Sequence, residues 1–397
     1  MMIPPIGFAL VLAVLGAVSP PQSSPTDGAP GSCRRCHEHI VERYLLTAHF
    51  RTSAEATART IKGSFVAGQN VLLTGNPSVK FQMTHSMGRF LQTGVDVAHG
   101  SAKSEGFDLV IGSGRKGQTY LYRKNGLLFE LPVSYLTALR GWINSPGFRD
   151  GTIDFGRLIQ PRCLECHSTE FSLVDQGGSL RYAQSYQLGL SCAKCHGDGS
   201  RHIAYHSSHR TEKPGKFIFN AGRAPRDAKL DNCALCHSGG RQPRKPAFTY
   251  RPGARVDDYY APPSPQESPT PDVHGNQIGL LRLSKCFRSS PSMSCTTCHD
   301  VHQTQRQPAP FAQKCLVCHQ GVQHKMAARL GSRLLSRCID CHMPNEPSRA
   351  LVINTPNGSF GPAYRSHRIG LYPQIADKVL QGLPARGRPA EVPARRP

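Results

Sequence analysis

The chain has 397 residues, of which only 38% are hydrophobic, with 38 glycines and 32 prolines. That is lean for an ordinary globular core, and it implies many loops and few long helices. The formal charge of +22 favours anionic partners: an acidic protein, an anionic membrane surface or small oxyanions. Lys and Arg are scattered and no nucleic-acid motif occurs, which argues against a nucleic-acid partner.

The chain opens on a short apolar run, residues 6–19 (IGFALVLAVLGAVS). It is short for a membrane span and has the size of a signal-peptide core. No Lys or Arg precedes it and Pro20 follows it directly, so an uncleaved N-terminal anchor is the other reading of residues 1–19. Either one puts the rest of the chain outside the cytoplasm. No later apolar stretch is long enough to span a bilayer. Residues 20–31 are rich in Pro, Ser and Gly and read as a flexible linker.

Seven copies of Cys-x-x-Cys-His follow and absorb fourteen of the fifteen cysteines. In chain order they are Cys33, Cys36 and His37; Cys163, Cys166 and His167; Cys192, Cys195 and His196; Cys233, Cys236 and His237; Cys295, Cys298 and His299; Cys315, Cys318 and His319; and Cys338, Cys341 and His342. This pentapeptide is the attachment signature of c-type haem. One tight helical turn offers two sulfurs to the vinyl groups of one porphyrin edge, and the next histidine binds iron from one face. A zinc ribbon needs no histidine at that position every time. A thioredoxin-like site uses one such pair, not seven. A disulfide framework fits cysteines at this spacing poorly. The expectation is seven covalently bound haem c groups whose apolar faces supply the core that the composition lacks.

The motifs are unevenly spaced. Residues 32–60 form a first haem segment, in which Ile40, Val41, Tyr44, Leu45 and Ala48 recur at helical spacing and His49 closes the run. Residues 61–160 carry no motif and read as an antiparallel β insert. Runs 107–111, 118–123 and 127–131 are β-prone, with weaker strands at 71–74 and 90–95. Asn125-Gly126 is a hairpin signal. Residues 161–370 hold the other six motifs. Residues 261–271 read as a Pro-rich surface loop, and 371–397 as a basic, Pro-rich tail, disordered from about residue 382. The fold expected is a mainly α and loop multihaem cytochrome c with a β insert and a haem stack as core.

Eleven histidines lie outside the motifs, enough to bind the second face of every iron. That face decides the chemistry, because six-coordinate haem passes electrons whereas five-coordinate haem can bind a substrate. His49, His202, His274, His302 and His367 are the leading distal candidates. His302 is too close to His299 to cap that histidine's own haem and reaches a neighbouring one; His202 has the same expected role. His85 and His324 come next. His39, His99, His206 and His209 read as surface or supporting residues. Met83, Met87, Met293, Met326 and Met343 are further possible ligands. Cys286 is left over and reads as a buried free thiol rather than a redox centre.

The stretch CRRCHEHIVERYLLTAHF resembles the opening of multihaem cytochromes of the c-552/c-554 type. PRCLECH, CHGDGSRH, CALCHSGG, DVHGNQ, SKCF, CTTCHDVH and CIDCHMP are similar to one group of these exported cytochromes, across about residues 33–367. The wider superfamily includes nitrite reductases and hydroxylamine-oxidising or tetrathionate-reducing enzymes. The resemblance implies close haem pairs, with distal roles carried over at His49, His202 and His302 and also at His274 and His367. One departure matters: the Cys-x-x-Cys-Lys motif of many nitrite reductases is absent. The expected role is extracytoplasmic, periplasmic electron transfer between acidic or membrane-bound redox partners. The alternative is an oxidoreductase acting on nitrite, hydroxylamine or tetrathionate at one five-coordinate haem, with the first motif or the Cys233–Cys236 motif as candidate open site.

Overall fold

The computed structural model describes residues 30–176, 179–262, 275–321 and 323–382. The N-terminal apolar run, most of the linker, most of the Pro-rich loop, His274 and the tail beyond residue 382 lie outside the described residues.

The chain starts on α1 (Pro30–Tyr44), which contains the first motif and kinks at His37. The helical spacing read after that motif is real, and it buries Val41 and Tyr44. The haem-free insert then forms ten strands: β1 (Ser53–Glu55), β2 (Val71–Leu73), β3 (Val79–Ser86), β4 (Arg89–Asp96), β5 (Ser101–Gly106), β6 (Leu109–Ile111), β7 (Gly117–Lys124), β8 (Leu127–Glu130), β9 (Val133–Leu136) and β10 (Gly141–Asn144). One antiparallel sheet runs β1-β6-β7-β9-β10 with β8 on β7; the other is a β2-β3-β4-β5 meander. The strands read from sequence at 71–74, 90–95, 107–111, 118–123 and 127–131 are all present, and the sheet begins before residue 61. Asn125 and Gly126 both have positive φ, 52° and 74°, the backbone that a two-residue hairpin between right-twisted strands requires. Between the sheets, Phe81, Met83, Tyr120, Leu131, Val133, Trp142 and Phe155 form a dry core.

The remaining helices are short and mostly motif-borne. They are α2 (Pro161–His167), α3 (Cys192–His196), α4 (Ser200–Ser208), α5 (Arg226–His237), α6 (Gln277–Arg282), α7 (Lys285–Ser289), α8 (Cys295–Cys298), α9 (Pro308–Leu316), α10 (Ala327–Leu330), α11 (Cys338–His342) and α12 (Pro373–Gln381). Strands also occur outside the insert, more than the sequence suggested. A long hairpin, β11 (Ser168–Gln176) and β12 (Ser179–Leu188), leaves the second motif directly. Two small hairpin-like pairs follow the last motif: β13 (Asn345–Pro347) with β16 (Ala363–Arg365), and β14 (Ile353–Thr355) with β15 (Gly358–Phe360).

Two contacts fix the insert against the rest. Leu164 of the second motif packs with Leu109, Leu121 and Leu128 of the insert and with Phe171 and Tyr182 of the hairpin. On the other side, Asn144 Nδ2 donates to Asn354 O at 2.8 Å and Asn354 Nδ2 donates to Phe148 O at 2.7 Å. The sheet therefore stands as a wall beside the motif-bearing half. Among the described residues no helix is long and apolar enough to cross a membrane.

Candidate functional site

A single connected cavity of about 4380 Å³ runs through the motif-bearing half. All fourteen motif cysteines and all seven motif histidines line it. Protein interiors pack densely, with few voids larger than a water molecule, so a space of this size between the motifs is a bed for large groups. Its wall carries sixteen Lys and Arg against three acidic residues, Glu130, Glu212 and Asp300. That is the charge balance that buried haem propionates require.

Among the described residues no two cysteines are joined by a disulfide, and no three His, Cys, Asp or Glu side chains converge on a metal-sized point. The cysteines instead point at a shared space, as thioether attachment demands.

Across this space the histidines meet in pairs. Ring centroids are 6.3 Å apart for His37 and His202, 6.2 Å for His49 and His237, and 6.0 Å for His196 and His302. They are 6.0 Å apart for His299 and His367 and 6.1 Å for His324 and His342. Two imidazoles bound to one metal ion through bonds of about 2.0 Å place their centroids roughly 6 Å apart. Five motif histidines thus each face a second histidine at the separation one iron needs.

The anchoring of the rings points the same way. Nδ1–H donates to a backbone carbonyl from His196 (Phe219 O, 2.9 Å), His202 (Lys216 O, 2.9 Å) and His342 (Gly370 O, 2.8 Å). A carbonyl only accepts, so the proton sits on Nδ1 and Nε2 keeps its lone pair for a metal. His167 is held through Nδ1 by Thr52 Oγ1 at 2.8 Å. His324 differs: its Nδ1 accepts from the Met326 N–H at 3.1 Å, which puts the ring proton on Nε2, so its pairing with His342 rests on the 6.1 Å separation alone. Burial pushes the pKa of His237 and His367 down to about 4 and lowers those of His49, His299 and His302. These rings are neutral at physiological pH, the form that ligates.

Four of the five leading distal candidates, His49, His202, His302 and His367, meet a motif histidine. His274 lies outside the described residues. His324, ranked lower from sequence, also meets one. His85 does not: it stacks on Phe90 in the insert, 4.2 Å between centroids. His39, His99 and His209 are off the cavity, and His206 Nε2 accepts from the Lys216 N–H at 3.0 Å. Met83 is buried in the insert core and Met87 is 99% exposed, while Met293, Met326 and Met343 line the cavity. The two motifs singled out as open, at His37 and His237, each have a histidine across from them. The insert abuts the second motif rather than the first.

A buried ionic cluster that sequence reading missed holds the second motif in place. Glu165, fully buried, accepts from Arg162 Nη1 at 2.7 Å, from the Phe248 N–H at 2.7 Å and from Tyr260 Oη. Arg162 also donates to Leu235 O, beside Cys236. These residues are scattered in sequence, and no local pattern marks Glu165, the one charged residue between the cysteines of CLECH, as their meeting point.

Comparison with known proteins bears on the fold. The sequence profile of the family described as cytochrome c554 and c-prime matches residues 150–197, which span the second and third motifs. A search of curated proteins returns no match. Among solved structures, the outer cell wall cytochrome OcwA superposes with a TM-score of 0.55 at 15% identity, over 88% of this chain and 81% of that one. The chain carries the fold of a multihaem cytochrome. An undecahaem cytochrome from the S-layer of Carboxydothermus ferrireducens aligns at 14% identity and a TM-score of 0.42; it covers 89% of this chain, which spans about half (53%) of that longer one.

Proposed function

We propose that the chain is a seven-haem cytochrome c that carries electrons between redox partners through closely packed, mostly bis-histidine haems. Each motif attaches one haem through its two cysteines and binds its iron through the motif histidine. His202, His49, His302, His367 and His324 bind the second faces of the irons held by His37, His237, His196, His299 and His342. The observation that carries this reading is the set of five histidine pairs 6.0–6.3 Å apart inside one basic cavity.

Haem c, once bound, supplies the one-electron Fe(III)/Fe(II) couple. The protein's own part is to fix the rings, exclude water and balance charge. Six-coordination at these sites keeps small ligands off the iron, which suits transfer rather than catalysis. Haems attached in this way belong outside the cytoplasm, in accord with the apolar N-terminal run and with the outer cell wall setting named for OcwA. The net charge of +22 suits an acidic or membrane-bound partner. The test is spectroscopic: optical and EPR spectra of the oxidised holoprotein, then of the reduced form under carbon monoxide. Low-spin haems that ignore carbon monoxide support transfer. A high-spin, carbon monoxide-binding haem turns the reading toward an oxidoreductase, to be assayed with nitrite, hydroxylamine and tetrathionate.

A further inference from the structure

The structure assigns an order to the haems: a branched wire in which the fourth haem, at Cys233 and Cys236, is the junction. This rests on the haem reading above and adds the route. Where cysteines of two motifs lie side by side, the porphyrin edges that they would attach would also lie side by side.

The fourth motif has different motifs beside its two cysteines. Cys233 lies beside Cys295 of the fifth motif, and α5, which carries Cys233, packs on α8, which carries Cys295. Cys236 lies beside Cys166 of the second motif: Cys166 Sγ is 4.0 Å from the carbonyl of Leu235, the residue before Cys236, and Arg162 donates to that same carbonyl. The third motif supplies a third neighbour: Asn232 Nδ2, beside Cys233, donates to Cys195 O at 3.2 Å.

From this junction the arms follow. Cys192 of the third motif touches Cys33 of the first, so one arm runs fourth, third, first. It ends where Cys36 is exposed. A second arm runs fourth, fifth, sixth, seventh: α8, with the fifth motif, packs on α9, which ends in the sixth, and α9 packs on α11, which holds the seventh. The third arm is the second haem alone, clamped to the junction by the Arg162 bond to Leu235 and roofed by the β insert.

The arrangement has a functional consequence. At each step one ferrous iron is oxidised and the adjacent ferric iron is reduced, with one-electron redox proteins as external donor and acceptor. An electron arriving on any arm can leave by either of the other two, so a single chain can join three redox partners, or two partners and one storage site at the second haem.

The test is the set of iron positions in crystals of the holoprotein, located by anomalous scattering at the iron edge. The expected result is seven irons, with the His237 iron in haem-edge contact with the His167, His196 and His299 haems. Edge contact with two haems or fewer there would overturn the branch while leaving the haem reading intact. Crystals without iron at the motifs would overturn the haem reading itself. In solution, His49→Met raises the potential of the junction haem. The branch predicts shifted EPR-monitored titrations for three other haems, because the charge state of the junction acts on each neighbour; shifts confined to one or two haems contradict it.

Discussion

The imidazoles of His49 and His237 stand 6.2 Å apart at 77° to one another. One closes the segment after the first motif; the other ends the fourth motif. Because burial keeps both neutral, they are ready to share an iron. His49→Leu should therefore leave that iron with one protein ligand. EPR of the oxidised variant should lose one low-spin signal and gain a high-spin one, and the reduced variant should bind carbon monoxide at one haem. An unchanged low-spin set would remove His49 from the ligand set.

His206 provides the matching control. It lines the cavity, yet its Nε2 already accepts the Lys216 N–H. His206→Ala should leave the spin state and haem content unaltered, whereas His202→Ala, whose ring faces His37, should create a high-spin haem. Reversed outcomes in the two spectra would mean that the pairing is misassigned.

Glu130 is 7% exposed, lines the cavity beside Cys163 and has Arg157 Nε 3.3 Å away. Burial pushes its pKa up to about 7, against the opposing pull of Arg157. Protonation is then half complete near neutrality. A deprotonated Glu130 favours the ferric form of the adjacent haem, so the potential of the second haem should fall as pH rises through about 7. Glu130→Gln should flatten that slope in a potentiometric titration across pH 6 to 8 (a range set by the roughly one-unit span of a titration on either side of its midpoint). A slope that survives the substitution would place the titrating group elsewhere.

Glu165 joins Arg162, the Phe248 N–H and Tyr260 with almost no solvent access. Removing one partner of a buried ion pair costs about 3–5 kcal/mol. Glu165→Ala should lower the denaturant midpoint accordingly, with its first local effect on the packing of the second motif against the fourth. A change below about 1 kcal/mol, typical of an exposed pair, would show that solvent reaches the cluster.

Much of this architecture was legible in the sequence because its signals are local. Cys-x-x-Cys-His fixes attachment within five residues, and Asn125-Gly126 fixes a hairpin within two. His302, three residues after His299, had to serve another haem, and it faces His196. What sequence did not reveal depends on distant residues meeting. His324 carries no motif and gains its role only because the segment before α10 folds back toward α11. The β11–β12 hairpin is specified by packing of Phe171 and Tyr182 on Leu164 and the insert, a contact no local pattern encodes. The same is true of the Glu165 cluster and of the carbonyls that orient His196, His202 and His342.

The most direct test of the central claim is the haem content of the chain expressed in a host that matures c-type cytochromes. Intact mass spectrometry with thiol alkylation should find seven haems per chain, all fourteen motif cysteines protected and Cys286 alone reactive once the chain is unfolded. Alkylation of motif cysteines with no haem mass added would contradict the account at its base.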